Sequence, residues 1–188
     1  MRAFYYDELP GDQRLMHDSG QAVSQQTLSD LGVLYHKIPI DAEGTWKQSI
    51  DKFAQTRGYK NRDQINVTPR GLGESYEAKI KMFFDEHLHD DEEIRYILDG
   101  SGFFDVRGKL GLAYSADDWW SHYGRQEVDP DPPRAGIYHR FTVDEGNDIT
   151  AMRLFQDEPK WTPYSRAEDG TDTRESRHEY VRSVAVAA

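Results

Sequence analysis

Two histidines separated by one residue, His87 and His89, head the segment EHLHDDEEIRYILDGSGFFDVR, residues 86–107. In an extended strand, side chains at i and i+2 share a face, so this pair can present two imidazoles to one point. Glu93 follows four positions later, far enough for a short turn and near enough to return to the same point. Two imidazoles and a carboxylate form the facial arrangement that leaves open positions on non-haem iron, where a chelating substrate or oxygen can bind. His139, in the separate run AGIYHRFTV, would add a fourth ligand from a distant strand. The chain has no cysteine, so any metal must be held by imidazole and oxygen. The plain alternative is that DEHLHDDEE is only a solvated acidic face. The interval from His-x-His through Glu93 to Gly100, together with a later Gly-x-x-His, favours a metal site instead.

Converging side chains need rigid elements behind them. EEIRYIL and GFFDVR are short β-like runs, and Asp99-Gly100-Ser101-Gly102 has the composition of a turn joining two antiparallel strands. AGIYHRFTV and DITAMRLF read as two more strands around the turn Glu145-Gly146-Asn147. LGVLYHKIPI, residues 31–40, alternates and reads as a strand. Trp46, Ile50 and Phe53 recur at i, i+4, i+7 ahead of Gly58, which predicts an amphipathic helix with a glycine stop, and a second helix is expected over 75–82. From residue 157 the chain is polar and turn-rich, and a tail wrapped over the barrel and fraying toward Ala188 is expected. Short strands with glycine-rich turns suggest a sandwich, jelly roll or barrel rather than a parallel sheet.

A length of 188 residues suits one domain. With 37% hydrophobic and 12% aromatic residues, Phe, Tyr and Trp must supply much of the core. A net charge of −11 with no Lys/Arg cluster argues against nucleic acid and for a small-molecule partner. Neither a basic start followed by an apolar run nor a stretch of about 20 apolar residues is present, so a soluble cytoplasmic protein is expected.

The spacing of His87, His89, Glu93 and Gly100 resembles the first motif of the cupin superfamily. The texts EHLHDDEEIRYILDGSGFFDVR, GIYHRFTVDE, AMRLFQDEPKWTPY, YYDELPGDQR and LGVLYHKI resemble the acireductone dioxygenases of methionine salvage, a likeness that covers nearly everything except about residues 108–133. The resemblance implies a mainly β, cupin-type double-stranded antiparallel barrel of jelly-roll kind with helical N-terminal segments. It also implies one Fe2+ or Ni2+ per chain on His87, His89, Glu93 and His139. Arg95 and Arg153 match the arginines that family places near the substrate's oxygens, and Phe83 and Phe141 match aromatics of its pocket wall. Strand parity agrees: Arg95 shares a face with Glu93, and Arg153 with Phe155.

The implied reaction is oxidation of 1,2-dihydroxy-5-(methylthio)pent-1-en-3-one by O2, in a monomer of the cytoplasm and also of the nucleus. Iron would give 4-methylthio-2-oxobutanoate and formate; nickel would give 3-(methylthio)propanoate, formate and carbon monoxide. Within one domain the expected divisions are a helical and strand preface (1–82), the barrel core (83–156) and a polar C-terminal tail (157–188). The core contains the atypical segment 108–133, whose Asp-Pro text, Asp129 to Pro132, resists strand formation and is expected to remove a barrel strand. Two alternatives follow: a cupin of other chemistry, such as an isomerase, or a non-catalytic binding protein disabled by that segment.

Overall fold

The structure is a computed structural model that describes residues 2–92, 94–108, 119–123, 128–131, 135–157 and 162–186. Its strands are β1 (Arg2–Tyr6), β2 (Asp18–Ala22), β3 (Leu34–His36), β4 (Asn61–Val67), β5 (His87–Leu88), β6 (Ile94–Gly100), β7 (Gly102–Arg107), β8 (Trp119–Tyr123), β9 (Val128–Asp131), β10 (His139–Val143), β11 (Ile149–Phe155) and β12 (Tyr164–Ser165). They form two antiparallel sheets, one in the order β12-β5-β10-β7-β8-β1-β2 and the other β3-β9-β6-β11-β4. This is the cupin-type double-stranded barrel that the sequence led us to expect. Strands β1 to β4, from the expected preface, are woven into both sheets.

Alternation along β6 and β11 explains how one sheet serves two cores. Ile94, Tyr96 and Leu154 pack with Ile50 and Ala54 of the helix over Thr45–Thr56, while Ile97, Ile65 and Ile149 belong with the barrel interior around Phe104, Val106, Phe141 and Val143. The helices are α1 (Gln25–Asp30), α2 (Thr45–Thr56), α3 (Pro69–Leu72), α4 (Tyr76–Phe84) and α5 (Glu175–Val186). In α2, Trp46, Ile50 and Phe53 face the sheet as their spacing predicts. The Asp41 carboxylate caps its start, accepting from the backbone of Thr45 at 2.7 Å and Trp46 at 2.9 Å.

Several expectations need correction. β6 and β7 do not form a hairpin: each pairs with a different neighbour, β6 with β11 and β7 with β10. The glycines between them build a corner from one sheet to the other. Gly100 has φ +74, and a Cβ there would lie 2.0 Å from the Asp148 carbonyl oxygen. The second corner, between β10 and β11, locks onto the first through Ser101 N to Asp148 O at 3.0 Å and Ser101 Oγ to Asp144 at 2.5 Å. The strand expected over 31–40 shrinks to Leu34–His36, because Gly32 at φ +82 still closes α1 by donating to Ser29 O.

The atypical segment supplies strands rather than removing one. β8 pairs with both β7 and β1, and β9, which includes Asp129 and Pro130, pairs with β3 and β6. The β3–β9 register is broken, the kind of irregularity at which a strand tolerates proline. Residues 162–186 hold a strand and a helix where a polar, turn-rich tail was expected, and the end at Ala188 lies outside the described residues. β12 pairs with β5, and α5 buries Arg177, Tyr180 and Val184, which with Val181 recur at i, i+3, i+4, i+7.

Candidate metal centre

β10 lies between β5 and β7, and antiparallel register sets His139 directly opposite His87. Residues so paired share a face, and His89, two positions beyond His87, returns to it. The three ring centroids are 4.5 Å (His87 to His139), 4.9 Å (His87 to His89) and 5.1 Å (His89 to His139) apart. One ring nitrogen from each lies within 4.8 Å of those of the other two, and all three rings are buried.

Backbone carbonyls decide which nitrogen that is. Nδ1 of His87 meets Asp85 O at 2.6 Å, Nδ1 of His89 meets Thr162 O at 3.0 Å, and Nδ1 of His139 meets Ile137 O at 3.1 Å. A carbonyl only accepts, so each Nδ1 carries the proton and each neutral ring keeps its Nε2 lone pair for a ligand. Metal-binding histidines are oriented in this way, by giving the other N–H to an oxygen. Three converging Nε2 donors and no thiolate suit a borderline divalent transition ion. Glu93, the expected carboxylate ligand, lies outside the described residues.

Beside His139, Phe104 links Arg95, Phe141 and Phe83 in one run of ring contacts. Phe104 stacks on His139 at 5.1 Å with 20° between the rings. The Arg95 guanidinium rests over Phe104 at 5.2 Å and over Phe141 at 5.0 Å, and Phe141 meets Phe83 edge-on at 6.1 Å. Arg153 stands opposite Arg95 in the β6–β11 register, on the same face. Its guanidinium is gripped by both carboxylate oxygens of Asp63, with Nε to Oδ1 at 2.7 Å.

Several residues of this neighbourhood carry no signal that sequence reasoning could use. Phe104 adjoins Phe103, and which of the two turns inward depends on the corner before β7. Asp63 is visible only once β4 is known to pair with β11. Glu86 accepts from Arg107 through both oxygens and from Arg166 at 3.1 Å, fastening the chain just before His87. Just after His89, the Arg174 guanidinium donates to Asp90 and holds that carboxyl below the usual carboxylate range, with Ser176 helping at 2.8 Å.

Comparison with known proteins places this geometry in a family. The model of the ARD/ARD' family matches residues 2–163. Acireductone dioxygenase 1 of Coprinopsis cinerea is 53% identical over 188 residues, covering all of both chains. Acireductone dioxygenase of Phaeosphaeria nodorum is 52% identical over 185 residues, 97% of this chain and 96% of the relative. Among solved structures, acireductone dioxygenase from Bacillus anthracis with a cadmium ion in its active centre superposes with a TM-score of 0.61 at 24% identity, over 74% of this chain and 87% of that one. At that identity the likeness speaks for the fold, while the family model and the fungal relatives carry the assignment: this chain belongs to the ARD/ARD' family.

Proposed function

We propose that this chain is a metal-dependent acireductone dioxygenase that cleaves 1,2-dihydroxy-5-(methylthio)pent-1-en-3-one with O2 in methionine salvage. The observation that carries the reading is the convergence of three buried imidazoles, each fixed by its own carbonyl so that Nε2 is the ligand atom. Relatives 53% and 52% identical bear the name of this activity, which supports the same substrate class.

An iron or nickel ion held by His87, His89 and His139, with Glu93 as the fourth ligand in this reading, supplies positive charge that favours the ionised enediol. The chain's own groups do the rest. Arg95, seated on two aromatic faces, offers a preset planar edge of N–H donors to the substrate's oxyanion. Arg153 is the second cation, and Asp63 fixes its fork so that little orientation remains to be achieved on binding. Phe83, Phe104 and Phe141 keep water from the wall and give the methylthio chain an apolar surface.

In this reading the products would be 4-methylthio-2-oxobutanoate and formate in the iron-loaded protein, and 3-(methylthio)propanoate, formate and carbon monoxide in the nickel-loaded one. The enzyme works as a monomer with one ion per chain, in the cytoplasm and also the nucleus. The test strips the purified protein of metal, reloads it with iron or nickel alone, and follows O2 uptake and products with acireductone. The expected result is uptake with either metal, carbon monoxide only with nickel, and no activity in His89→Ala. Turnover without O2 uptake, the behaviour of an isomerase, overturns the proposal.

A further inference from the structure

We propose that the C-terminal segment 162–186 is a working part of the metal centre, with Arg174 and Ser176 acting as positioning residues that set His89 through Asp90. The inference rests on the metal-site reading above and goes beyond it, since the family model ends at residue 163.

His89 has a weakness that the sheets do not cure. β5 ends at Leu88, and its ladder with β10 consists of the single pair His139 and His87. The chain carrying His89 has already left the strand, so something else must fix it. Its ring is held by Thr162, whose carbonyl accepts from Nδ1 at 3.0 Å. Its backbone carbonyl accepts from Gly136 N at 2.9 Å. The next residue, Asp90, takes Nε of Arg174 at 2.9 Å, a second bond from the same guanidinium, and Ser176 Oγ at 2.8 Å. Arg174 is itself braced, 3.3 Å from the Tyr164 ring centroid on β12.

The same stretch also holds the other side of the site. Gly136, three residues before His139, has φ +83, and a Cβ there would lie 2.2 Å from Ser176 O, so the start of α5 presses directly on that backbone. Arg177, almost wholly buried, donates to Gly136 O at 3.1 Å and stacks over Tyr138 at 4.5 Å, while Tyr138 donates its hydroxyl to Asp172 at 2.7 Å. Residues 172–177 are therefore bonded both to the His89 side, at Asp90, and to the His139 side, at Gly136 and Tyr138. Such a bridge fixes the separation of two ligands that come from distant parts of the chain. Groups hydrogen-bonded to a metal's ligands typically change its affinity by about 10-fold to 100-fold; Arg174 and Ser176 act one residue further out, through Asp90, so the expected change is up to about 10-fold.

The experiment uses the full-length metal-free protein and measures Ni2+ affinity by competition with a chromophoric chelator, alongside the visible spectrum of the Co2+ form and the far-UV dichroism of the metal-free form. Arg174→Ala is compared with Arg182→Ala, which removes an exposed pair with Glu175 on the same helix. Arg174→Ala is expected to weaken Ni2+ by up to about 10-fold and to alter the Co2+ bands, Arg174→Lys to fall between, and Arg182→Ala to match the parent. Ser176→Ala, which deletes one hydrogen bond and leaves the guanidinium in place, is expected to weaken binding a few-fold and stands in if Arg174→Ala does not fold. Affinity and Co2+ spectra equal to the Arg182→Ala control in both Arg174→Ala and Ser176→Ala overturn the positioning role while leaving the metal site intact. A parent protein that binds no Ni2+ overturns the metal reading and this inference with it.

Discussion

An imidazole can ligate a metal only through the nitrogen that lacks a proton, and the atoms that choose that nitrogen here are carbonyl oxygens of Asp85, Thr162 and Ile137. Every residue has a carbonyl, so no spacing rule could name these three, whereas the histidines themselves were legible from residue type and strand parity. Arg95 illustrates the same division. Its parity pointed it inward, but its seat over Phe104 and Phe141 depends on β7 and β10 being neighbours. That seat yields a prediction, since lysine keeps the charge but not the flat fork that stacks and donates in pairs. Arg95→Lys should lower kcat/KM for acireductone about 10-fold to 100-fold, near 1.4 to 2.7 kcal/mol of transition-state binding, with metal content unchanged. Steady-state kinetics with parallel elemental analysis reads this out, and an unaltered kcat/KM would remove Arg95 from the substrate's oxygens.

Periodicity located the elements but not their partners. The alternation in EEIRYIL, GFFDVR, AGIYHRFTV and DITAMRLF marked four strands, yet a glycine-rich link reads the same whether the chain folds back on itself or crosses to a facing sheet. What separates the cases is the neighbours: β11 and β9 occupy the two edges of β6, so β7 pairs elsewhere. The C-terminal helix was hidden for a related reason, because its apolar positions, Tyr180, Val181 and Val184, are sparse among charges and share their face with the buried Arg177. The corner makes a quantitative claim. Gly58 and Gly100 have nearly the same φ, +73 and +74, but a Cβ meets nothing within 4 Å at the first and meets Asp148 O at 2.0 Å at the second. Gly58→Ala should cost only the strain of a left-handed residue, about 1 kcal/mol. Gly100→Ala adds a backbone collision that couples both corners and should cost about 3 kcal/mol or more. Urea unfolding of the two variants checks the contrast, and equal costs would mean that the corners give way freely.

At the scale of the molecule, the aromatic share of the composition proved to be structural joinery as well as apolar filling. Tyr59 at the end of α2 donates its hydroxyl to Glu92 at 2.5 Å, Tyr96 in β6 donates to Ile38 O at 2.9 Å, and Tyr76 at the start of α4 donates to Asn147 at 2.7 Å. Each bond ties a different layer to the barrel, and each needs a protonated phenol. Burial pushes all three hydroxyls up from the usual phenol value, and the Glu92 carboxylate pushes Tyr59 further. The sign follows from linkage: a group that holds its proton more tightly when folded stabilises fully below its unfolded value and loses that contribution as pH rises toward the folded one. Stability should therefore be flat in these groups up to about pH 10 and then fall, each tyrosine adding a slope of up to about 1.4 kcal/mol per pH unit. The measurement is the urea midpoint between pH 8 and pH 11.5, followed by dichroism and by tyrosinate absorbance. Tyr59, Tyr76 and Tyr96 should ionise only with the transition, in company with Tyr6 and Tyr138, whose hydroxyls burial also pushes up. If Tyr59, Tyr76 and Tyr96 titrate near pH 10 in protein that stays folded, those three hydroxyls are not what joins the layers.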